Sequence, residues 1–136
     1  MKVIIDNNIV IDALNPNEQF EKEAQEILRL SAIKKIDGFV TANSLTDIFY
    51  VLQKRHGVEK TKTMTKKLVA MLGIVDITAT DCVGALDLSM DDFEDAVVSI
   101  CAKKVNADYI VSRDEAFIKS ATEVKVIKPH ELLSYV

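Results

Sequence analysis

The sequence predicts an α/β fold, in which helices flank a central, mostly parallel sheet of about four or five strands. Three observations lead to this prediction. Short apolar runs typical of buried strands alternate with longer segments that show helical spacing. The length of 136 residues suits one domain over residues 1–136. Only four glycines and two prolines occur, so most of the chain is expected to form regular structure.

The first strand is predicted at Lys2–Ile5, a short apolar run that ends in an acid. Asn7 or Asn8 is expected to cap a short helix at 9–14, because a short polar side chain at a helix start accepts backbone hydrogen bonds. The sequence Asn-Pro-Asn at 15–17 is expected to break this helix.

The later elements are predicted from the same short apolar runs and segments with helical spacing. Gly57 and Gly73 are expected to end helices, and Pro129 to begin one. The predicted helices lie at 18–35, from Asn43 or Ser44 to 56, at 59–72, 80–89, 93–105, 115–118 and 129–135. The predicted strands lie at 39–41, 74–77, 109–111 and 124–127, and Asp37-Gly38 forms a turn.

Charge is distributed unevenly along the chain, although the net charge is only −4. Residues 54–67 carry a net charge of +5 and residues 81–95 a net charge of −6. This pattern suits a metal-binding pocket with a phosphate-binding rim; the alternative is two solvated helix faces that never meet. The basic residues expected to contact phosphate are Lys62, Lys66 and Lys67.

Composition excludes several classes of protein. Apolar residues make up 49% of the chain, which argues against disorder, and no apolar run approaches the roughly 20 residues that span a bilayer. The acid at position 6 interrupts the first apolar run too early for a secretory leader. Cys82 and Cys101 match neither a CxxC pair nor a disulfide framework, so buried, reduced thiols and a cytoplasmic location are expected.

Four acids are expected to meet at one edge of the sheet. Asp6 and Asp114 follow predicted strands, while Asp47 and Asp95 lie in helices next to strand ends. Ligands of such sheets bind beyond the carboxyl ends of the strands. Clustered carboxylates repel one another unless a hard cation neutralises them, so Mg²⁺ or Mn²⁺ is favoured over Zn²⁺. Ions held in this way activate water against a phosphodiester.

The remaining acids have plainer explanations. Asp92 is expected to be the N-cap of the helix at 93–105, which places Asp95 at the third helical position, where a carboxylate suits the helix dipole. Four more acids are expected to be ordinary turn or surface residues: Asp12, Asp37, Asp76 and Asp108.

Several segments together resemble the PIN-domain family. Residues 3–12 read VIIDNNIVID, residues 93–97 read FEDAV, and residues 107–114 read ADYIVSRD. Their order and spacing resemble the first, third and fourth acidic motifs of that family. The closing segments VKVI at 124–127 and PHELL at 129–133 also look like the end of a PIN domain. The resemblance covers essentially the whole chain.

The resemblance implies a metal-dependent ribonuclease, often the VapC-like toxin of a bacterial or archaeal toxin–antitoxin pair, and it suggests a homodimer. Asp6, Asp95 and Asp114 match the metal-binding acids of the family. The second acid of the family is usually Glu, and its place in SLTDIFY (44–50) is taken by Asp47, which is one methylene shorter. Two further residues match supporting positions of the family: Asn8 and Ser112.

Other classes fit less well. A response-regulator receiver needs alternating strands and helices where residues 43–72 are helical, and a haloacid-dehalogenase-like phosphatase needs Asp at position 8, which is Asn. Neither a Walker A nor a dinucleotide-binding glycine motif occurs. The runner-up is a PIN-like module, weakly active or inactive, that binds RNA or a protein partner, and Asp47 is the feature that favours it.

Overall fold

The computed structural model describes residues 1–15 and 19–136. Within them the elements run β1 (Lys2–Ile5), α1 (Asn7–Leu14), α2 (Glu21–Ala32), β2 (Asp37–Thr41), α3 (Ala42–His56), α4 (Val58–Met71), β3 (Gly73–Val75), α5 (Ala79–Ala85), α6 (Phe93–Lys104), β4 (Tyr109–Val111), α7 (Glu115–Lys119), β5 (Val126–Ile127) and α8 (Pro129–Ser134). The predicted α/β class is confirmed.

The five described strands form one sheet in the order β3-β2-β1-β4-β5, and each neighbouring pair is parallel. The order reverses between β1 and β4, because the chain moves outward to β3 on one side of β1 and to β5 on the other. In open parallel sheets this reversal opens a crevice at the carboxyl ends of the two central strands. The candidate site is therefore expected directly after Ile5 and Val111.

Alternate residues of the central strands pack into two apolar layers on opposite faces of the sheet. Val3 and Ile5 lie in one layer with residues of α1 to α4 and α8, whereas Ile4 lies in the other with residues of α5 and α6. Phe117 of α7 is fully buried in the second layer. Both faces of the sheet are thus covered, which is why the strands read as nearly continuous apolar runs.

Several element boundaries differ from the predicted ones because the caps differ. α1 begins at Asn7 because the Asp6 side chain accepts a hydrogen bond from the Asn7 backbone N–H, so Asp6 is itself the N-cap. α3 begins at Ala42 because the Thr41 side chain caps the Ser44 N–H. α5 ends at Ala85, short of the predicted residue 89. β5 keeps only the last two residues of its predicted run.

The break predicted at 15–17 and the helix start predicted at residue 18 involve residues outside the described ranges. Gly57 ends α3 as predicted, with a positive φ of 78°. None of the helices in the described part of the chain combines the length and apolar character needed to span a bilayer. Both cysteines are free thiols, and Cys101 is buried as expected while Cys82 is only half-buried.

Candidate active site

Asp6 is fixed at the carboxyl end of β1 by groups from both central strands. Its backbone N–H donates to the Val111 carbonyl at 3.0 Å, which continues the pairing of β1 with β4. Oδ1 accepts from the Asn7 N–H at 2.9 Å, and Oδ2 accepts from the Ser112 hydroxyl at 2.7 Å. The residue is only 7% exposed. These bonds hold the carboxylate rigidly at the switch point of the sheet.

Asn8 and Ser112 support this carboxylate. Asn8 Nδ2 donates to Asp6 Oδ2 and to Ser112 Oγ, both at 3.3 Å. Ser112 Oγ in turn accepts from the Asp114 N–H at 3.1 Å, so one hydroxyl connects Asp6 to the loop that carries Asp114. The Asn8 Oδ1 atom is buried and has no hydrogen-bond partner within the described residues. This amide oxygen is therefore a buried acceptor without a donor, in the residue that contacts the Asp6 carboxylate.

Asp92, Asp95 and Asp114 occupy helix starts, where the free backbone N–H groups suit a carboxylate. Asp92 caps α6 by accepting from the Asp95 N–H at 3.0 Å, and Asp95 is the third residue of that helix, as expected. Asp114 caps α7 and accepts from the Ala116 N–H at 3.0 Å. The starts of α6 and α7 thereby present their acids to a shared cleft of about 290 Å³, lined by all three.

Mutual repulsion identifies which acids the fold brings together. Burial, together with the charges of Asp92, Asp6, Asp114 and Glu94, raises the pKa of Asp95 to about 7. Burial also raises the pKa of Asp6, with added contributions from Asp114 and Asp92, although hydrogen bonds from Ser112 and Asn7 oppose the shift. Three of the four predicted site acids therefore share one electrostatic environment.

The fourth predicted acid, Asp47, interacts with Glu94, a residue that the sequence analysis did not single out. Partial burial raises the pKa of Glu94, and the charges of Asp47, Asp6 and Asp92 add to the shift. Asn7 Nδ2 donates to Glu94 Oε1 at 3.4 Å. Glu94 thus lies near enough to both Asp47 and Asp6 for their charges to raise its pKa. Its position directly before Asp95 in FEDAV is the signal that could have found it.

The donor set fits a hydrated, hard divalent cation. Within residues 1–15 and 19–136, no three His, Cys, Asp or Glu side chains already stand close enough to enclose a metal ion. Burial and neighbouring carboxylates nevertheless raise the pKa values of two of these oxygen donors, Asp6 and Asp95, and Asn8 adds a buried acceptor without a partner among the described residues. Mg²⁺ keeps several waters and takes only one or two carboxylates directly, so it needs no closed cage of side chains.

The three lysines predicted to contact phosphate lie on α4, away from these contacts. Lys62, Lys66 and Lys67 are all exposed. Lys62 has Glu59 as an ion-pair partner at 3.8 Å. The groups that raise the pKa values of Asp6, Glu94 and Asp95 are other carboxylates. The role of these lysines stays a prediction.

The expectation that Asp12 is an ordinary surface acid is wrong. Its side chain is 4% exposed and accepts two hydrogen bonds from Arg113, from Nε at 2.6 Å and from Nη2 at 3.2 Å. Of the other acids in that group, Asp37, Asp76 and Asp108 are exposed, as expected. Asp12 is buried because a specific cation comes to it from the loop after β4.

Comparison with known proteins finds a family model and a relative that match most of this chain. The family model described as "PIN domain" matches residues 2–116. Ribonuclease VapC1 of Aquifex aeolicus (strain VF5) is 26% identical over 130 residues, which cover 90% of this chain and 88% of that protein.

Solved structures show the same fold at lower identity. VapBC2 from Rickettsia felis, bound to a DNA fragment from their promoter, superposes with a TM-score of 0.71 at 17% identity, over 94% of this chain and 98% of that one. VapC20 from Mycobacterium tuberculosis, described as a sarcin-ricin loop cleaving toxin, superposes with a TM-score of 0.65 at 17% identity, over 85% and 92% of the two chains.

Proposed function

The chain belongs to the PIN-domain family, and on that premise we propose that it is a Mg²⁺- or Mn²⁺-dependent endoribonuclease and the toxin of a toxin–antitoxin pair. One observation carries the proposal: burial and the charge of Asp114, which follows β4, raise the pKa values of both Asp6 after β1 and Asp95 at the start of α6, so these three acids lie close together. The relative from Aquifex aeolicus, which is named a ribonuclease, supports the same activity.

The chain's own residues divide into ligands and supports. Asp6, Asp95 and Asp114 would hold the ion or ions, directly or through bound water, with Asp47 assisting directly or through water. Asn8 and Ser112 keep Asp6 in one orientation through the hydrogen bonds described above, and Asp92 fixes the first turn of α6. When bound, a divalent cation neutralises charge on the phosphodiester and lowers the pKa of an attacking water.

Asp95 is expected to couple cation binding to the release of a proton. With a pKa of about 7, its carboxyl group is largely protonated in slightly acidic solution. A carboxylate must be ionised to bind a cation, so cation binding displaces this proton. Binding of the metal is therefore expected to weaken as the pH falls below 7.

RNA must be attracted by another part of the surface, because a carboxylate cluster repels a phosphate backbone. The net charge of +5 over residues 54–67 makes α4 the favoured surface, through Lys62, Lys66 and Lys67. The partners that we propose are RNA, an antitoxin protein, as in the VapBC pairs with the same fold, and a second copy of this chain.

Cleavage of single-stranded RNA with and without Mn²⁺ tests the proposal. Cleavage is expected only with the cation, giving 5′-phosphate and 3′-hydroxyl ends, and to be lost in Asp6→Asn and Asp95→Asn. Asp37→Asn, an exposed acid at the start of β2, is the matched control. Cyclic 2′,3′-phosphate ends or full activity in EDTA would contradict the mechanism. RNA binding without cleavage would favour the inactive binding module instead.

A further inference from the structure

Asp12 and Arg113 form a two-point ion pair that joins α1 to the loop after β4. Arg113 Nε and Nη2 both donate to the Asp12 carboxylate, which is the geometry in which a planar guanidinium binds most strongly. The Asp12 side chain is 4% exposed and that of Arg113 is 38% exposed. The guanidinium carbon also lies 4.4 Å from the centre of the Phe20 ring, so a cation–π contact restrains it as well. The guanidinium is therefore held in one place.

This cation lies next to the acids of the site. Arg113 directly precedes Asp114 in the loop after β4. The hydrogen bond to Asp12 is the main reason that the pKa of Arg113 is raised, and the charges of Asp12, Asp114 and Asp6 add to it. A flexible cationic side chain near these three carboxylates could pair with any of them. In the structure Arg113 pairs with Asp12 rather than with Asp114, its neighbour in the sequence.

We propose that Asp12 is a positioning residue that holds the Arg113 guanidinium away from Asp114 and Asp6, so that these carboxylates stay free to bind a cation. The inference rests on the proposed function, because it assumes that the acids bind a metal ion. Asp12 acts through Arg113 and touches neither metal nor RNA. Phe20 assists by restraining the guanidinium over its ring.

Direct Mn²⁺ binding to the full chain, measured by electron paramagnetic resonance and calorimetry, tests this role. In Asp12→Asn the guanidinium is released and competes with Mn²⁺. Affinity is expected to fall by about tenfold, the lower end of the effect of residues that orient metal ligands. Removal of the competitor in Asp12→Asn/Arg113→Gln should return the affinity towards the parent value. Excess Mn²⁺ should restore RNA cleavage in Asp12→Asn, because competition is overcome by mass action.

A purely structural role gives a different pattern. If Asp12 only stabilises the loop, the double variant binds Mn²⁺ as weakly as the single one, and this result would overturn the inference. Arg113→Lys provides a second comparison if Asp12→Asn fails to fold. It keeps the charge but loses the two-point pair, so it should bind Mn²⁺ more weakly than Asp12→Asn/Arg113→Gln. Equal affinities in these two variants would also overturn the inference.

Mn²⁺ binding by the parent chain distinguishes failure of the positioning role from failure of the proposed function. If the parent binds Mn²⁺ and the variants do not differ, the positioning role is wrong and the proposed function stands. If the parent does not bind Mn²⁺, the proposed function fails and the inference fails with it. Thermal unfolding of each variant shows whether a change in Mn²⁺ affinity accompanies a loss of folded protein.

Discussion

Replacement of Asp95 by Asn is expected to stabilise the metal-free protein at neutral and alkaline pH. Burial and the charges of Asp92, Asp6 and Asp114 raise the pKa of Asp95 from 3.8 to about 7. A folded state that binds a proton more tightly than the unfolded state loses stability as the pH rises between those two values. The metal-free parent therefore carries a cost at pH 8 that is small at pH 4, and Asn removes that cost.

The size of this stabilisation at pH 8 is the difference between two opposing effects of the substitution. Each pKa unit corresponds to about 1.4 kcal/mol, so the shift has an upper limit of about 4 kcal/mol. Asp95 is only half-buried, and solvent screening reduces the effect to about 2 kcal/mol. Loss of a charge at the start of α6 costs about 0.5 kcal/mol in return. The net gain expected at pH 8 is about 1.5 kcal/mol, or roughly 4–6 °C in Tm.

Urea unfolding followed by circular dichroism, with excess EDTA at pH 4 and pH 8, measures this gain. Asp37→Asn is the control and should show no gain that depends on pH. With saturating Mn²⁺ in place of EDTA the order should reverse, because only the parent is stabilised by the bound cation. The reasoning is refuted if Asp95→Asn is no more stable than the parent at pH 8, or if its gain is the same at both pH values.

Two further predictions concern the basic surface and the core. Substitution of Lys62, Lys66 and Lys67 by Gln should lower the slope of log RNA affinity against log salt by about two, as expected for lost contacts to single-stranded phosphate, without changing Mn²⁺ affinity; an unchanged slope would assign these lysines to solubility. Gly38→Ala should destabilise the fold by about 1–3 kcal/mol in urea unfolding, since its Cβ would lie 2.6 Å from Ser31 Oγ and 2.9 Å from Leu72 Cδ2. Unchanged stability would show that the Ser31 and Leu72 side chains can move away from β2.

Most of the fold and the central acids could be predicted because they depend on local patterns and one topological rule. Apolar runs located β1 and β4, and the shared edge of parallel strands implied that Asp6 and Asp114 meet. The capping role of Asp92 and the helical position of Asp95 followed from the residues around them. None of these inferences required knowledge of a distant contact.

The parts that were missed depend on distant contacts. Asp12 reads as a surface acid because nothing near it in sequence neutralises it, and its partner Arg113 is 101 residues away. Glu94 stands close to Asp92 and Asp95 in the sequence and is not distinguished from them there, and only the approach of α3 shows that it couples to Asp47. In both cases tertiary packing determines the surroundings of one side chain, and the periodicity of the sequence does not distinguish that side chain from other acids.

The pairing of β1 with β4 also governs when the site can exist during synthesis. Asp6 and Ser112, which share a hydrogen bond, are 106 residues apart in the chain. A ribosome completes β1, β2 and β3 long before it adds β4, the strand that must insert beside β1. A nascent chain that stops before β4 holds Asp6 and Asp95 but lacks Asp114 and the hydroxyl that orients Asp6. For a nuclease with the proposed activity, the cutting centre thus cannot form until β4 and the loop that follows it have been synthesised.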